Sequence, residues 1–551
     1  MSALLKQASM PKDKVSRSNE KLTNKFNARR SDELVIALAG PIGCGLSGVA
    51  EALEERLRER GYVDVVRIKL SKFIEEALST ELVSKPQLDP TKSARYNRYR
   101  LLQEAGKALR QGTSNPAILA EFAAKAIALD RGKRGTEVPG RVAYLIEQVK
   151  RPEEVTLLRA LYRNLFYLAG VTRIYDRRVS TLEGEHVRAD EVNSLMEIDR
   201  LEDREDGQQL DKTLHLADYF IRNDAMTAND KQEKLVRFLN LLHGDKSVTP
   251  SDAENGMYAA YSASLRSACL SRQVGAAIST SSGEIVATGC NDVPKPGGGL
   301  YTDSAKVTDM RCIHQEGREC FNDLHKKNLQ EAIGSAIDVV LAAAADATPE
   351  GEDANGEQDN PIVLTQKRRN KLLAAIYENT RIKDLIEFSR SVHAEMDAIV
   401  SLARIGGTSL QGATLYTTTF PCHNCARHIV AAGIMKVFYV EPYEKSLAKD
   451  LHKDAIAFEV EESTEITPQR VEFLHFEGVA PRLFHNMFRA TDRKNSEGKF
   501  VPIKIQLASK GVPEYLDSYR DFELKAVEHL EQEITILREK QAKKSTPGDP
   551  V

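Results

Sequence analysis

The chain has 551 residues, of which 41% are hydrophobic, a composition typical of folded proteins and a length that suggests about three or four domain-sized units. Lysine and arginine total 77 and aspartate and glutamate total 80, so the net charge of −3 disfavours a protein that coats nucleic acid, which usually carries a basic excess. No stretch approaches the ~20 apolar residues that span a bilayer, and seven cysteines fit a disulfide scaffold poorly.

The N-terminal segment, residues 1–30, is polar and rich in Lys, Arg, Ser and Asn, which predicts a flexible basic arm. It lacks the apolar run that a secretory signal needs, and the expected compartment is a reducing cytoplasm. A solvated tail and an arm that contacts RNA or another subunit are both open interpretations.

The first predicted strand follows this arm. A continuous apolar run, Leu34–Ala39, precedes a glycine-rich turn and an amphipathic stretch from about Leu46 to Arg60. Strand, glycine turn and helix in this order are typical of the start of an α/β nucleotide-binding domain. Apolar segments alternate with helical patterns to about residue 245, so residues 31–248 are predicted to form one such domain.

The glycine-rich turn resembles a P-loop, in which glycines at both ends are followed by lysine and then by serine or threonine. Gly40, Gly43, Gly45 and Ser47 are the candidate nucleotide-binding residues, and Leu46 stands at the lysine position. Backbone amides at a helix N-terminus bind phosphate, but the cation that steadies a transferring phosphoryl group is missing. Binding of a nucleoside triphosphate is therefore favoured over phosphoryl transfer, with a turn that holds no ligand as the alternative.

A later segment extends this resemblance. Ala217–Ile221 resembles the last core strand of nucleoside monophosphate kinases. The predicted fold class is accordingly α/β, with an N-terminal P-loop domain that is similar to these kinases. We expect this domain to sense a nucleotide and to gate the domain that follows.

The second domain is predicted over residues 249–505. Val274–Ile278 and Glu284–Gly289 flank the turn residues Ser281, Ser282 and Gly283, a pattern that indicates a β-hairpin. The polar residues within 343–367 predict an inserted, disordered loop, because they lack the apolar side chains that a core needs.

Helices and strands continue to alternate after this insert. The predicted elements are a helix around His393–Ala403, a strand at Ala413–Thr418, a helix that ends near Ala432 and a strand at Lys436–Val440. Such alternation predicts a mixed sheet covered by helices.

A helical tail is predicted over residues 506–551. Within it, a charged helix from about residue 519 to 540 carries apolar residues at coiled-coil-like spacing, namely Leu524, Val527, Leu530, Ile534 and Leu537. A packing stripe is the favoured interpretation, and a contact within an oligomer is the alternative.

Four residues form the pattern that carries the chemistry. His393 and Glu395 make a His-x-Glu pair, and Cys422 and Cys425 follow in a Pro-Cys-x-x-Cys sequence, the signature of zinc nucleobase deaminases. Two thiolates and one imidazole suit tetrahedral zinc and leave a fourth position for water. Glu395 is expected to transfer protons as general base and acid rather than to bind the metal. Structural zinc or coincidence is the alternative.

Residues 251 to about 490 resemble the deoxycytidylate deaminase branch of the cytidine deaminase superfamily. The strings that carry the resemblance are Ser271–Ala277, Gly289–Pro294, His393–Glu395 and Thr417–Ala426. The resemblance implies a cytidine-deaminase-like mixed sheet, a Zn²⁺ cofactor and the release of ammonia from deoxycytidine nucleotides, with dCMP converted to dUMP and dCTP to dUTP.

The same resemblance suggests residues that bind the substrate. In that family the asparagine that matches Asn291 contacts the sugar, and Thr418 and Ser391 lie within or beside the matching strings. Asp397 stands where many members have Asn, which is a departure at a local sugar contact.

Together with the P-loop domain, the chain resembles bacterial antiphage deoxycytidine nucleotide deaminases. In that family, destruction of the dCTP pool starves phage replication and an RNA restrains the enzyme. The resemblance thus implies a deoxycytidine nucleotide substrate, an inhibitory RNA partner and a homo-oligomer, with no membrane association.

Two further groups of residues are weaker candidates. Some deoxycytidylate deaminases hold a second zinc in the region of Cys312, His314, Cys320 and His325, but the irregular spacing of these four residues is equally typical of unliganded side chains. Basic residues near the motif segments are candidates for binding substrate phosphates, with solvated faces or ion pairs as the alternative: Lys295, Arg266, Arg272, Lys445 and Arg482.

Two other functions remain as alternatives. A deaminase that edits RNA or single-stranded DNA shares the zinc chemistry, but the near-neutral charge and the P-loop domain disfavour it. A nucleotide-sensing regulator with a degenerate deaminase site is disfavoured by the intact set of His393, Glu395, Cys422 and Cys425.

Overall fold

The computed structural model describes most of the chain, in residues 30–135, 140–200, 207–224, 228–303, 308–346, 365–441, 446–458, 470–489, 493–503, 514 and 520–545. Nearly all of the predicted N-terminal arm, most of the predicted insert and Lys445 lie outside these residues. The chain divides into two compact units. Unit 1 comprises Met1–Tyr258 and His475–Val551, and unit 2 comprises Ala259–Leu474.

Unit 1 contains one six-stranded sheet and most of the helices. Its strands are β1 (Leu34–Ala39), β2 (Asp64–Lys69), β3 (Val142–Glu147), β4 (Phe166–Thr172), β5 (Tyr219–Arg222) and β12 (Gly478–Val479). Its first helices are α1 (Leu46–Glu59), α2 (Leu70–Ser79), α3 (Ala94–Thr113), α4 (Ile118–Arg134), α5 (Pro152–Tyr162), α6 (Tyr175–Gly184), α7 (Ala189–Arg200), α8 (Leu210–Leu214) and α9 (Ala228–Leu242).

The sheet of unit 1 has the strand order β12-β5-β4-β1-β3-β2. Neighbouring strands are parallel throughout the run β5-β4-β1-β3-β2, and β12 pairs antiparallel with β5. Every residue of β1, β3 and β4 is buried, as expected for parallel strands that helices cover on both faces. The glycine-rich turn therefore lies at the carboxyl end of a central strand, where ligands of such sheets bind.

Unit 2 contains the second six-stranded sheet. Its strands are β6 (Gly275–Ser279), β7 (Ile285–Cys290), β8 (Thr414–Thr419), β9 (Lys436–Glu441), β10 (Ile456–Phe458) and β11 (Val471–His475). Helix α10 (Asp252–Ser264) leads into the unit, and the helices within it are α11 (Phe321–Asp346), α12 (Gln366–Asn379), α13 (Ala394–Ile405), α14 (His423–Ala431) and α15 (Ala448–Leu451).

The sheet of unit 2 is mixed, with the order β10-β11-β9-β8-β6-β7. Strand β6 pairs antiparallel with β7, which confirms the predicted hairpin, and with β8, whereas β8 and β9 are parallel. Helix α13 packs on β7 and β6. The approach is close at Gly289, where an added Cβ would lie 2.2 Å from the Ala394 carbonyl oxygen.

The predicted insert differs from the structure at both ends. Residues 343–346 form the last turn of α11, and 366–367 begin α12, so the described parts of this segment are helical. The predicted pattern missed both helices because α11 and α12 bury little apolar surface. No helix among the described residues is long and apolar enough to cross a membrane.

The predicted second domain also differs in extent, because the chain returns to unit 1 at His475 rather than after residue 505. Strand β12 extends the sheet of unit 1 beside β5, and helix α16 (Phe484–Phe488) packs on the core of that unit. The last helix, α17 (Arg520–Ser545), packs on α4 and α3 through Leu530, Ile534 and Leu537. The predicted packing stripe thus contacts unit 1, while Leu524 is 60% exposed.

Candidate metal centre and active site

Two helix N-termini in unit 2 position the predicted metal ligands. His393 has extended backbone angles and immediately precedes α13, and Cys422 immediately precedes α14. Cys425 lies in the first turn of α14, where its backbone N–H donates to Cys422 Sγ over 3.5 Å. A Cys-x-x-Cys sequence at a helix start therefore directs both sulfurs toward the same point.

The three side chains form one compact group. His393 Nδ1 lies 3.2 Å from Cys422 Sγ and 3.4 Å from Cys425 Sγ. One ligand atom from each of the three residues lies within 4.8 Å of the others. Both cysteines are buried, and neither forms a disulfide. One imidazole nitrogen and two sulfurs at this separation fit zinc, which binds such donors in a tetrahedron and leaves one position open.

Glu395 adjoins this group from the first turn of α13. Its side chain is 4% exposed, and Oε2 lies 3.5 Å from Cys425 Sγ. Burial raises the pKa of the Glu395 carboxyl above its ordinary value, which suits a group that both accepts and donates a proton.

Hydrogen bonds within the group shift the pKa values of the three ligand side chains in different directions. The hydrogen bond between the two cysteines, followed by the one with His393, lowers the pKa of Cys422. The hydrogen bond with Cys422 raises the pKa of His393, whereas the bond with Cys422 and burial raise the pKa of Cys425. A divalent cation at this point would favour the thiolate at both sulfurs, because it adds positive charge.

Asn291 is a neighbour of the metal ligands but is also bonded to the backbone. The bridge between Asp292 and Val392 is antiparallel, so it places Asn291 beside His393. Asn291 Oδ1 accepts from the Val274 amide over 2.7 Å, and Nδ2 donates to the Arg272 carbonyl over 2.8 Å. One N–H and one lone pair of this amide remain for a ligand.

The other two predicted substrate residues also have protein partners. Thr418 Oγ1 accepts from the Gly275 amide over 3.1 Å, and Ser391 Oγ lies 3.6 Å from Cys269 Sγ. Substrate binding by Asn291, Thr418 and Ser391 therefore stays a prediction.

The structure gives Asp397 a clear structural role. This buried carboxylate accepts from the Cys290 amide over 3.1 Å and from Ser401 Oγ over 3.5 Å, so it holds α13 to the end of β7. Asp292 was missed by sequence reasoning. It is 1% exposed, accepts from two backbone amides and lies 3.7 Å from the Arg311 guanidinium. No local pattern in the sequence signals either role.

The basic residues predicted to bind substrate phosphates differ in their partners and in their exposure. Arg272 forms an ion pair with Glu441 and donates to Thr419, whereas Lys295 is half-buried. Arg482 lies in unit 1, where it binds Asp218. Arg266 contributes positive charge near the Cys290 thiol.

The structure does not assemble the predicted second zinc site. His314 lies 3.3 Å from Asp309, Cys320 lies 3.4 Å from Ser271, and the His325 ring lies 5.5 Å from the Phe388 ring in a tilted arrangement. Among the described residues, two groups have the geometry to hold a metal, and neither includes any of the four predicted ligands. The four side chains do not converge in the described residues, because closeness along the chain does not direct side chains to one point.

In unit 1 the glycine-rich turn follows β1 and contains two glycines with positive φ. Gly43 and Gly45 have φ of 81° and 73°, which L side chains rarely adopt, and Ser47 Oγ donates to Glu147 over 3.4 Å. An added Cβ at Gly40 would lie 2.7 Å from the Val171 carbonyl oxygen. Nucleotide binding by these residues stays a prediction.

Sequence reasoning missed two side chains at this turn. Lys150 follows β3 and donates from Nζ to the Gly40 carbonyl over 2.8 Å and to Asp199 over 2.7 Å. Asp199 also accepts from the Ile42 amide over 2.6 Å and is 2% exposed. A lysine from another strand thus adjoins the turn in which Leu46 replaces the expected lysine.

Comparison with known proteins agrees with the motif at the metal centre. The family model described as the cytidine and deoxycytidylate deaminase zinc-binding region matches residues 250–441. The deoxycytidylate deaminases of Enterobacteria phages T2 and T4 are each 47% identical to the chain over 55 residues. These matches cover 10% of the chain and 29% and 28% of the relatives, so the chain spans less than a third of their length.

Two solved structures are also similar to the chain. They are crystal structures of dCMP deaminase from cyanophage S-TIM5, one in apo form and one in complex with dCMP and dUMP. Each match covers 41% of this chain, and it covers 100% of the apo structure and 98% of the complex. The sequence identities are 18% and 20%, and the TM-scores are 0.20 and 0.21. The residues matched by the family model include His393, Glu395 and both cysteines.

Proposed function

We propose that the chain is a zinc-dependent hydrolase that deaminates free deoxycytidine nucleotides, converting dCMP to dUMP and dCTP to dUTP with release of ammonia. The observation that carries the proposal is the buried group of His393, Cys422 and Cys425 with Glu395 beside it. A structural zinc site would need a fourth protein ligand, whereas these three leave a position open next to a carboxylate.

Zinc held by the three ligands would supply a Lewis acid that lowers the pKa of water to about 7. Glu395 would accept a proton from the attacking water as the oxygen adds to C4 of the cytosine ring. The same carboxyl then delivers that proton to ring N3. It next takes the proton of the new C4 hydroxyl and passes it to the amine, the C4–N bond breaks, and ammonia leaves behind a C4 carbonyl. The raised pKa of Glu395 favours this return of the proton.

Two observations favour a free nucleotide over a polynucleotide as the substrate, namely the net charge of the chain and the names of its relatives. The net charge of −3 gives no general attraction for polynucleotide phosphates, and the matched relatives include phage enzymes named deoxycytidylate deaminase. The extension to dCTP comes from the resemblance to antiphage deaminases.

The decisive experiment measures ammonia release from dCMP, dCTP, CMP, cytidine and a cytidine-containing oligonucleotide. We expect turnover of the two deoxynucleotides, and a loss of about 10²- to 10⁴-fold in Glu395→Gln, because general acid–base catalysis contributes that much. The exposed Glu378→Gln is the matched control and should match wild type. Turnover of oligonucleotides alone, or none with any compound, would contradict the proposal.

The metal requirement has its own measurement. Elemental analysis should find zinc in wild type and in Glu395→Gln, since this carboxylate is not a ligand. Cys422→Ser should lose both zinc and activity. Active protein that contains no transition metal would refute the zinc chemistry.

We further propose that the glycine-rich turn of unit 1 binds a nucleoside triphosphate. Support comes from the backbone form of the turn and from Lys150, which supplies a cation that Leu46 does not. Equilibrium titration with ATP should detect binding that Ser47→Ala weakens. Unchanged binding in that variant would argue against this site.

A role in defence follows from the resemblance to antiphage deaminases. We propose that the chain depletes dCTP during infection, as a homo-oligomer restrained by an RNA. Infected cells that express wild type should lose dCTP and yield fewer phage than cells that express Glu395→Gln. Equal dCTP and phage yields in the two strains would remove this role while leaving the chemistry intact.

A further inference from the structure

A cavity of about 370 Å³ lies in unit 1, within the size range of small-molecule sites. It is lined by the end of α5, the start of β4, the end of α9 and the short helix α16. None of these segments contributes to the metal centre of unit 2 or to the glycine-rich turn.

The cavity is at the opposite end of the sheet from that turn. Phe166 and Tyr167 line the cavity and begin β4, and Phe166 pairs with Val35 near the start of β1. The turn follows Ala39, at the carboxyl end of β1. A ligand in the cavity would therefore occupy the amino end of the parallel strands, separate from a nucleotide at the turn.

The cavity lining carries an excess of positive charge. Its cationic residues are Arg159, Arg163, Lys246, Arg489 and Arg493, and its acidic residues are Asp218 and Asp245. The acidic side chains are already engaged, since Asp218 binds Arg159 and Arg482 and Asp245 accepts from Ser247.

Three of the arginines have no acidic partner among the residues that the structure describes. Within the described residues, Arg163, Arg489 and Arg493 form no ion pair. Each guanidinium presents N–H groups in a fork that matches the oxygens of a phosphate. Three such groups around one cavity suit a ligand with several negative charges.

Part of the cavity lining is apolar and aromatic. Phe166, Tyr167, Met487 and Phe488 line it, and the Arg159 guanidinium lies 5.8 Å from the centre of the Phe166 ring. Flat apolar walls bind a ring system by stacking and burial, which an inorganic anion cannot exploit. The lining thus combines sites for a ring and for phosphates.

Backbone strain is present at the same place. Arg163 has φ of 46° and ψ of −115°, a conformation that residues with a side chain rarely adopt. Its side chain is exposed, so no packing requirement explains an arginine here. Strain of this kind commonly marks functional sites.

We infer that this cavity is a further ligand site, which takes a nucleotide: a ring against the aromatic part of the lining and phosphates against Arg163, Arg489 and Arg493. The inference is independent of the deaminase chemistry, since no residue of the metal centre takes part.

The test follows hydrogen exchange of the full-length protein with ATP, which is not a substrate of the proposed reaction, and with inorganic triphosphate. ATP should protect peptides that contain 163–167 and 484–489, and triphosphate should protect them less. Absence of protection in these peptides would overturn the site, and equal protection by triphosphate would overturn the nucleotide assignment.

Variants then locate the phosphate contacts. Arg489→Ala and Arg493→Ala should each weaken ATP binding at this site about tenfold, the loss expected for one charge-assisted hydrogen bond. Ser47→Ala should leave the protection of 163–167 intact. The exposed Arg538→Ala on α17 is the matched control. Wild-type binding in both arginine variants would refute the inference.

Arg163→Gly separates binding from folding. Glycine adopts the observed backbone angles freely, so the unfolding temperature should equal or exceed that of wild type while ATP binding falls. A variant that binds ATP as wild type does would contradict the role of Arg163.

Discussion

A buried carboxylate occupies the place where the glycine-rich turn would present an amide to phosphate. Asp199 accepts from the Ile42 amide and from Lys150 Nζ, the two groups that a phosphate oxygen would also bind. Asp199→Asn removes this competing charge, and we expect ATP binding at the turn to tighten about tenfold, the gain for one freed charge-assisted contact. Protection of peptide 40–47 from hydrogen exchange, followed as ATP is titrated, measures this change in affinity.

The control for this variant comes from the same helix. Asp190→Asn changes a carboxylate on α7 that is 65% exposed and should leave the protection of peptide 40–47 unchanged. Weaker binding in Asp199→Asn would show instead that this carboxylate organises the turn for its ligand.

Residues of the metal centre were predictable because their chemistry depends on short spacings. His393 with Glu395, and Cys422 with Cys425, belong to local patterns that a sequence displays directly, and the structure brings these four together. Lys150 and Asp199 were not predictable in this way. They reach the glycine-rich turn from β3 and α7, and only the tertiary fold specifies that contact.

At the scale of elements, the placement of α13 depends on one glycine of β7. An alanine Cβ at Gly289 would lie 2.2 Å from the Ala394 carbonyl oxygen and 2.4 Å from the Ala398 amide nitrogen. Both are backbone atoms, so α13 must move, and it carries Glu395. We expect Gly289→Ala to lower kcat at least tenfold and stability by about 1–3 kcal/mol, the usual cost of overpacking.

A second glycine provides the matched control. A Cβ at Gly132 in α4 meets nothing within 4 Å, so Gly132→Ala should raise stability by about 0.5–1 kcal/mol and leave activity unchanged. Thermal unfolding and ammonia release measure both variants. Normal kcat in Gly289→Ala would mean that α13 tolerates the displacement.

Elements with strong apolar patterns were predictable, and those without were not. Strand β1, the hairpin of β6 and β7, and helices α13 and α14 lie within a few residues of their predicted positions, because their buried faces repeat at a regular period. Helices α11 and α12 bury few side chains, and their sequences therefore lack the contrast between faces on which such predictions depend.

For the whole molecule, the sequence did not reveal that the chain returns to unit 1 at His475. An apolar stripe shows that one face of a helix is buried, but it does not tell whether unit 1, unit 2 or a second copy of the chain covers that face. The structure resolves this for α17, whose buried face contacts α4 and α3 of unit 1. Unit 1 is thus completed only by the last segment of the chain, after unit 2 has been traversed.

This completion predicts that the C-terminal helix stabilises unit 1. Leu530 is fully buried on α17, so Leu530→Ala removes its apolar contacts and leaves a cavity, which costs about 2–5 kcal/mol. Leu524→Ala on the same helix removes a side chain that is 60% exposed and should change stability by less than about 0.5 kcal/mol. Hydrogen exchange should then become faster in α4 for Leu530→Ala, while peptides of α13 in unit 2 keep wild-type protection. Equal destabilisation by the two variants would show that α17 does not depend on this buried face for its attachment.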